Sequence, residues 1–169
     1  MNQSNRTRKL ALAGLLTAVA VVGGMFSIPI GAAKCSPVQH MVNVIAGVLL
    51  GPWYGLGSAF VASLIRNLIG TGSLLAFPGS MVGALLAGLL YQKIQRLPAA
   101  FVGEVVGTGI LGAMLSYPVA VLLMGKTSAL FAFVPSFMIN TVAGSIVAVL
   151  VLCALERTHI LRTLRAGLH

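Results

Sequence analysis

The chain has 169 residues, of which 58% are hydrophobic and 8% charged, with two acidic side chains and a formal net charge of +9. A soluble domain of this size carries a surface of roughly a quarter Asp, Glu, Lys and Arg, so this composition excludes one and indicates an integral membrane protein. The basic residues fall in short clusters between apolar runs rather than along one exposed face, which argues against nucleic acid and for anionic lipid head groups as their partner.

About 20 apolar residues cross a bilayer, and the chain offers six such stretches. The amino terminus is basic, Arg6-Thr7-Arg8-Lys9, and the first run extends from about Leu10 to Ile28, stopping at Pro29. It is long for a cleaved signal, and Lys34 rather than a small residue precedes Cys35, so a retained first helix is expected. The next apolar stretch, Val38 to Ile69, is too long for one crossing. Gly51-Pro52 interrupts it, and proline breaks the helical hydrogen-bond ladder, so two short helices are expected over about 38–50 and 53–69. Further spans are expected over about 78–91, 99–124 and 131–155. Nothing alternates with period two over ten-residue segments, which excludes a barrel and leaves helices. The expected fold is therefore all-α, a six-transmembrane-helix bundle forming one domain over residues 1–169.

Orientation follows from the basic residues. With both termini cytoplasmic, Arg6, Arg8, Lys9, Lys93, Arg96, Arg157, Arg162 and Arg165 lie inside, against Lys34, Arg66 and Lys126 outside. The two cysteines, Cys35 and Cys153, then fall at opposite faces, and no disulfide is expected. The loop Gly70-Thr71-Gly72-Ser73 lacks the Lys that a phosphate-binding loop requires. The chain has no visible means of using ATP alone.

Polar side chains gather at the outer helix ends. Gln39, His40 and Asn43 open the second helix, Arg66 and Asn67 close the third, and Ser80 opens the fourth. Ser116 and Tyr117 lie in the outer half of the fifth helix, and Ser136 and Asn140 open the sixth. Gln39 and Asn43 are four apart and share a helix face, as do Ser136 and Asn140. Buried amides and imidazoles are costly in a bilayer without partners, so this set suggests a pocket open to the outside; the plainer reading is that helix ends meet water and head groups. Arg66 either snorkels outward or contacts a substrate or polar neighbour. Trp53 and Tyr54 read as interfacial anchors. Glu104, the one carboxylate within the spans, reads as paired with a loop cation or as a protonated acid bonded to a neighbour. No metal cluster, nucleophile–base pair or paired carboxylate is visible, so neither an enzyme nor a cofactor is expected. Small residues recur at four-residue steps, as at Gly14 and Ala18, Gly79 and Gly83, and Gly103 and Gly107, and let helix backbones approach closely.

The chain resembles the substrate-binding S components of energy-coupling factor (ECF) vitamin transporters. The segment Lys34-Cys-Ser-Pro-Val-Gln-His-Met-Val-Asn43, then Gly51-Pro-Trp-Tyr-Gly55, Arg66-Asn67 and Ala76-Phe-Pro-Gly-Ser80 resembles the ThiW group, associated with salvage of the thiazole half of thiamine. The resemblance implies a multi-pass cell-membrane protein that binds a vitamin precursor from outside, with a coupling transmembrane protein and two ATPase subunits driving transport. It also implies that the Gly14/Ala18 face meets the coupling protein. Hydroxyethyl-methylthiazole is the ligand it suggests, and Phe77 and Tyr117 join Gln39, His40, Asn43, Arg66, Asn67, Ser80 and Asn140 as expected contacts. The outer cations would also suit a phosphate or carboxylate, and the pyrimidine half of thiamine is an alternative. So is a stand-alone proton-coupled carrier using Glu104.

Overall fold

A computed structural model describes residues 3–26, 28–30 and 33–168; the side chains of residues 28–30, 33–35, 162 and 166 lie outside the description. Among the described residues the bundle is built from α1 (Gln3–Met25), α2 (Pro37–Leu50), α3 (Pro52–Leu68), α4 (Ala76–Ile94), α5 (Leu97–Leu123) and α6 (Val134–Arg157). They fall on the six apolar stretches of the sequence. By length and composition α1, α5 and α6 are long and apolar enough to cross a membrane.

Proline and glycine set the boundaries. Pro37, Pro52, Pro98 and Pro135 stand in the first turns of α2, α3, α5 and α6, where a missing N–H costs nothing. The stretch from Val38 to Ile69 is two helices. Gly51 takes φ +89°, a conformation closed to most side chains, and Pro52 starts α3 immediately after it. The helices then double back on one another, so that Gly55 meets Gly47 while Ser63 meets Gln39.

Two elements depart from the sequence reading. An antiparallel hairpin, β1 (Ile28–Ile30) with β2 (Ala33–Cys35), connects α1 to α2, so the first helix ends at Met25 rather than near Ile28, within a fold that is otherwise helical. A short amphipathic helix, α7 (Ile160–Leu168), follows α6 and lays Leu161 and Leu168 into the apolar core. It is tied to α1 and α4: Arg8 donates to the Gly167 carbonyl, and Arg165 donates to the Tyr91 hydroxyl at 2.9 Å. The core at this end is built from Val44, Val48, Leu49, Ala148 and Leu152. The opposite end of the bundle is polar.

Candidate ligand-binding cavity

At that polar end a cavity of about 330 Å³ opens between α2, α3, α4, α5 and α6. Its wall carries Ser36, Gln39 and His40 at the start of α2, Arg66 at the end of α3, Gly79 and Ser80 on α4, Thr108 on α5 and Asn140 on α6. Leu75, Phe133 and Phe137 give it an apolar side, and the loop residues Ser73, Lys126, Thr127 and Ser128 roof it. Apolar walls with a few fixed polar groups are what small-molecule sites present.

Two hydrogen-bonded strings hold the wall. In the first, the Arg66 guanidinium donates to Gln39 Oε1, Gln39 Nε2 donates to Ser63 Oγ at 3.2 Å, and the Ser63 and Ser80 hydroxyls meet at 3.0 Å. In the second, Glu104 is the hub. Its Oε1 accepts from Asn43 Nδ2 at 3.0 Å and Thr108 Oγ1 at 2.9 Å, and lies 2.9 Å from His40 Nδ1. Glu104 is fully buried. Among the described residues its partners form a polar cluster on α2 and on its own helix. Asn140 Oδ1 accepts from the Ser36 amide, which fastens the hairpin exit to α6.

The structure brings Gln39, His40, Arg66, Ser80 and Asn140 to the cavity and places Asn43 directly behind His40 and Ser80. The other three expected contacts face elsewhere. Asn67 bonds the Ser63 carbonyl at 2.8 Å and the Ser73 carbonyl at 3.1 Å, and so shapes the α3–α4 loop. Phe77 packs on Phe60 with ring centroids 5.7 Å apart. Tyr117 is half-buried away from the cavity, while its neighbour Ser116 is fully buried and bonds the Leu75 carbonyl. Neither Asn67, Phe77 nor Tyr117 lines the cavity. Ser36, Thr108, Phe133 and Phe137 also line the cavity, without a sequence signal that marks them. The side chains of Lys34 and Cys35 lie outside the description. Among the described residues, no group of three or more His, Cys, Asp or Glu could hold a metal ion.

The asparagines give a direct comparison. Asn140→Ala removes an acceptor from a buried amide, at a cost of about 1–3 kcal/mol, and releases the hairpin beside the cavity. It should lower both thermal stability and ligand affinity. Asn67→Ala frees one helix carbonyl and one loop carbonyl at a partly exposed site and should lower stability only slightly. Thermal melts in detergent and equilibrium binding on the two variants check this; a larger affinity loss for Asn67→Ala would contradict it.

A bundle of hydrophobic helices enclosing a polar cavity at one end is the architecture of a membrane solute-binding protein. The chain belongs to the thiamine-precursor transporter protein (ThiW) family, whose sequence model matches residues 10–158. No curated protein matches the sequence. Among solved structures the chain is similar to the crystal structure of the S-component for biotin from an ECF-type ABC transporter, with a TM-score of 0.63 and 18% identity over 88% of this chain and 92% of that one. At that identity the likeness is one of fold.

Proposed function

We propose that this chain is the substrate-binding S component of an ECF transporter and takes hydroxyethyl-methylthiazole, the thiazole precursor of thiamine, from outside the cell. The observation that carries the reading is the cavity. It is roofed by loops, walled on one side by Leu75, Phe133 and Phe137, and furnished on the other with amide, hydroxyl and imidazole groups. A small, largely neutral heterocycle with one hydroxyl suits that division. In this reading all six bundle helices cross the membrane, the cavity end faces outward and both termini are cytoplasmic, which keeps eight basic residues inside and three outside.

Transport then needs a coupling protein and two ATPases. The Gly14/Ala18 face supports this. It forms the floor of a groove with Thr17, Val21, Trp53 and Tyr54, and a Cβ added at Gly14 would meet nothing within 4 Å. Gly14→Leu should therefore leave the fold and ligand binding intact while blocking the groove, so that uptake in cells holding the partner subunits is lost. Uptake at the unmodified level would remove the groove from the coupling surface.

The decisive experiment is binding of thiazole, pyrimidine and thiamine compounds to the purified chain in detergent. Preferred binding of the thiazole is expected. Preference for the pyrimidine would replace the ligand, and no binding of any of them would sink the ligand assignment. One observation favours a second reading, a proton-coupled carrier: the buried Glu104 and His40 share a hydrogen bond and could exchange a proton. That reading requires uptake by the chain alone in liposomes, abolished by Glu104→Gln.

A further inference from the structure

The hydrogen bonds behind the cavity wall determine which way its one imidazole presents its lone pair. The Nδ2 group of Asn43 faces two oxygens, the Ser80 carbonyl at 3.2 Å and Glu104 Oε1 at 3.0 Å. A backbone carbonyl only accepts, so the NH₂ group of Asn43 must point there, and its orientation is fixed. Glu104 Oε1 accordingly accepts from Asn43. It also lies 2.9 Å from the Thr108 hydroxyl, which reaches the Gly79 carbonyl at 3.0 Å. The single hydroxyl hydrogen of Thr108 is shared between these two oxygens, so Asn43 is the donor that marks Oε1 as an acceptor. As a carboxylate oxygen, Oε1 has no hydrogen to give and accepts from its third neighbour as well. That neighbour is His40 Nδ1.

In the neutral ring, then, the hydrogen sits on Nδ1 and Nε2 carries a lone pair. Among the described residues Nε2 has no hydrogen-bond partner, nor is it among the enclosed unpaired atoms, while His40 lines the cavity. The other charged groups at the cavity are cations: Arg66 on α3, held by Gln39, and Lys126 in the roof. Neither can donate an acceptor site. α6 approaches His40 through Gly144, which has no side chain to compete.

We propose that Glu104 is a positioning residue that holds His40 with Nε2 as a hydrogen-bond acceptor toward the ligand, so that the cavity selects molecules bearing an O–H or N–H donor. This rests on the thiazole reading only for the identity of the donor: hydroxyethyl-methylthiazole has a single one, its hydroxyl.

The test uses the full chain in detergent and three compounds: hydroxyethyl-methylthiazole, its methyl ether, and the analogue with an ethyl group in place of hydroxyethyl. The unmodified chain should bind the alcohol about tenfold or more tighter than either of the others, the size of one buried hydrogen bond. Glu104→Met, which has no acceptor oxygen, should shrink that ratio severalfold whatever it does to affinity for the ethyl analogue, and His40→Phe should abolish it. A merely structural role for Glu104 predicts equal weakening of all three compounds, which would overturn the proposal. Nitrogen-15 spectra of the histidine-labelled chain read the tautomer directly. The Nδ1–H form is expected for His40, and an Nε2–H form would overturn the proposal regardless of ligand. If no thiazole compound binds, the thiazole reading fails by itself, and the spectrum alone decides the proposal.

Discussion

Arg66→Ala is expected to reduce ligand affinity by at least about 100-fold, equivalent to about 3 kcal/mol, and to lower thermal stability by several degrees. Arg66 is 5% exposed although it sits in the last turn of α3. Its guanidinium turns inward, donates to Gln39 Oε1, and reaches the carbonyls of Gly24 and Thr71 at 3.5 Å each. It therefore ties α3 to α2, to the end of α1 and to the loop that roofs the cavity. Gly24 makes room for it: a Cβ there would lie 2.3 Å from Arg66 Nε. Truncation leaves Gln39 Oε1 unpaired and loosens the Gln39–Ser63–Ser80 string. The cost is that of orphaned buried acceptors rather than of a lost charge pair, since among the described residues Arg66 has no carboxylate partner.

Arg66→Lys separates geometry from charge. An ammonium keeps the charge but cannot reproduce a planar fork that serves acceptors on three segments. Affinity for Arg66→Lys should stay within about tenfold of the alanine variant. Full recovery by lysine would show that charge alone matters, and undiminished binding by Arg66→Ala would remove Arg66 from the site. A reciprocal effect is expected from Gly24→Val, which would push the guanidinium off Gln39 without touching the cavity directly.

The depth of the site could be read from the sequence, but its azimuth could not. Apolar run lengths and the prolines give the helices, and Gly51-Pro52 gives the turn between α2 and α3. Helix-end position then brings polar residues to one level. Which of two neighbours faces inward depends on about 100° of helix rotation per residue. Arg66 faces in and Asn67 faces the loop; Ser116 faces in and Tyr117 does not. Glu104 was recognisable as an unusual residue, yet its partner His40 lies 64 positions away on another helix, and no local pattern encodes that distance. α7 escaped notice for a related reason. Its nine residues are too few for a span, and its burial rests on Leu161 and Leu168, seven apart on one face.

Gly103→Ala is expected to be among the most damaging methyl additions in the bundle, costing about 3 kcal/mol and lowering the melting temperature by roughly 10 °C. A Cβ at Gly103 would stand 2.6 Å from the Leu86 carbonyl oxygen and 2.7 Å from the backbone of Ala87. Backbone cannot rotate out of the way, so α4 and α5 must part. The same seam continues where Gly107 meets Gly83 and Gly112 meets Gly79, with added Cβ atoms 2.7 and 2.6 Å from the facing Cα. On α4 the matching positions Ala87, Gly83 and Gly79 step by four. On α5 the steps are four and then five. The extra residue falls in the π-helical turn Gly107–Gly112, whose wider turn keeps Gly112 on the face of Gly107. The seam therefore depends on both glycine and the π turn, and Thr108, which lines the cavity, sits within that turn. Deleting the exposed Leu111 should let the turn rewind as ordinary α-helix with the glycines still facing α4, and should cost less stability than deleting the exposed Val102, which shifts Gly103 and Gly107 relative to the helix start. Melting curves of Gly103→Ala, of the two deletions, and of Gly57→Ala, where a Cβ meets nothing within 4 Å, measure this directly. A Gly103→Ala protein as stable as the unmodified chain would mean that the two helices are not in backbone contact.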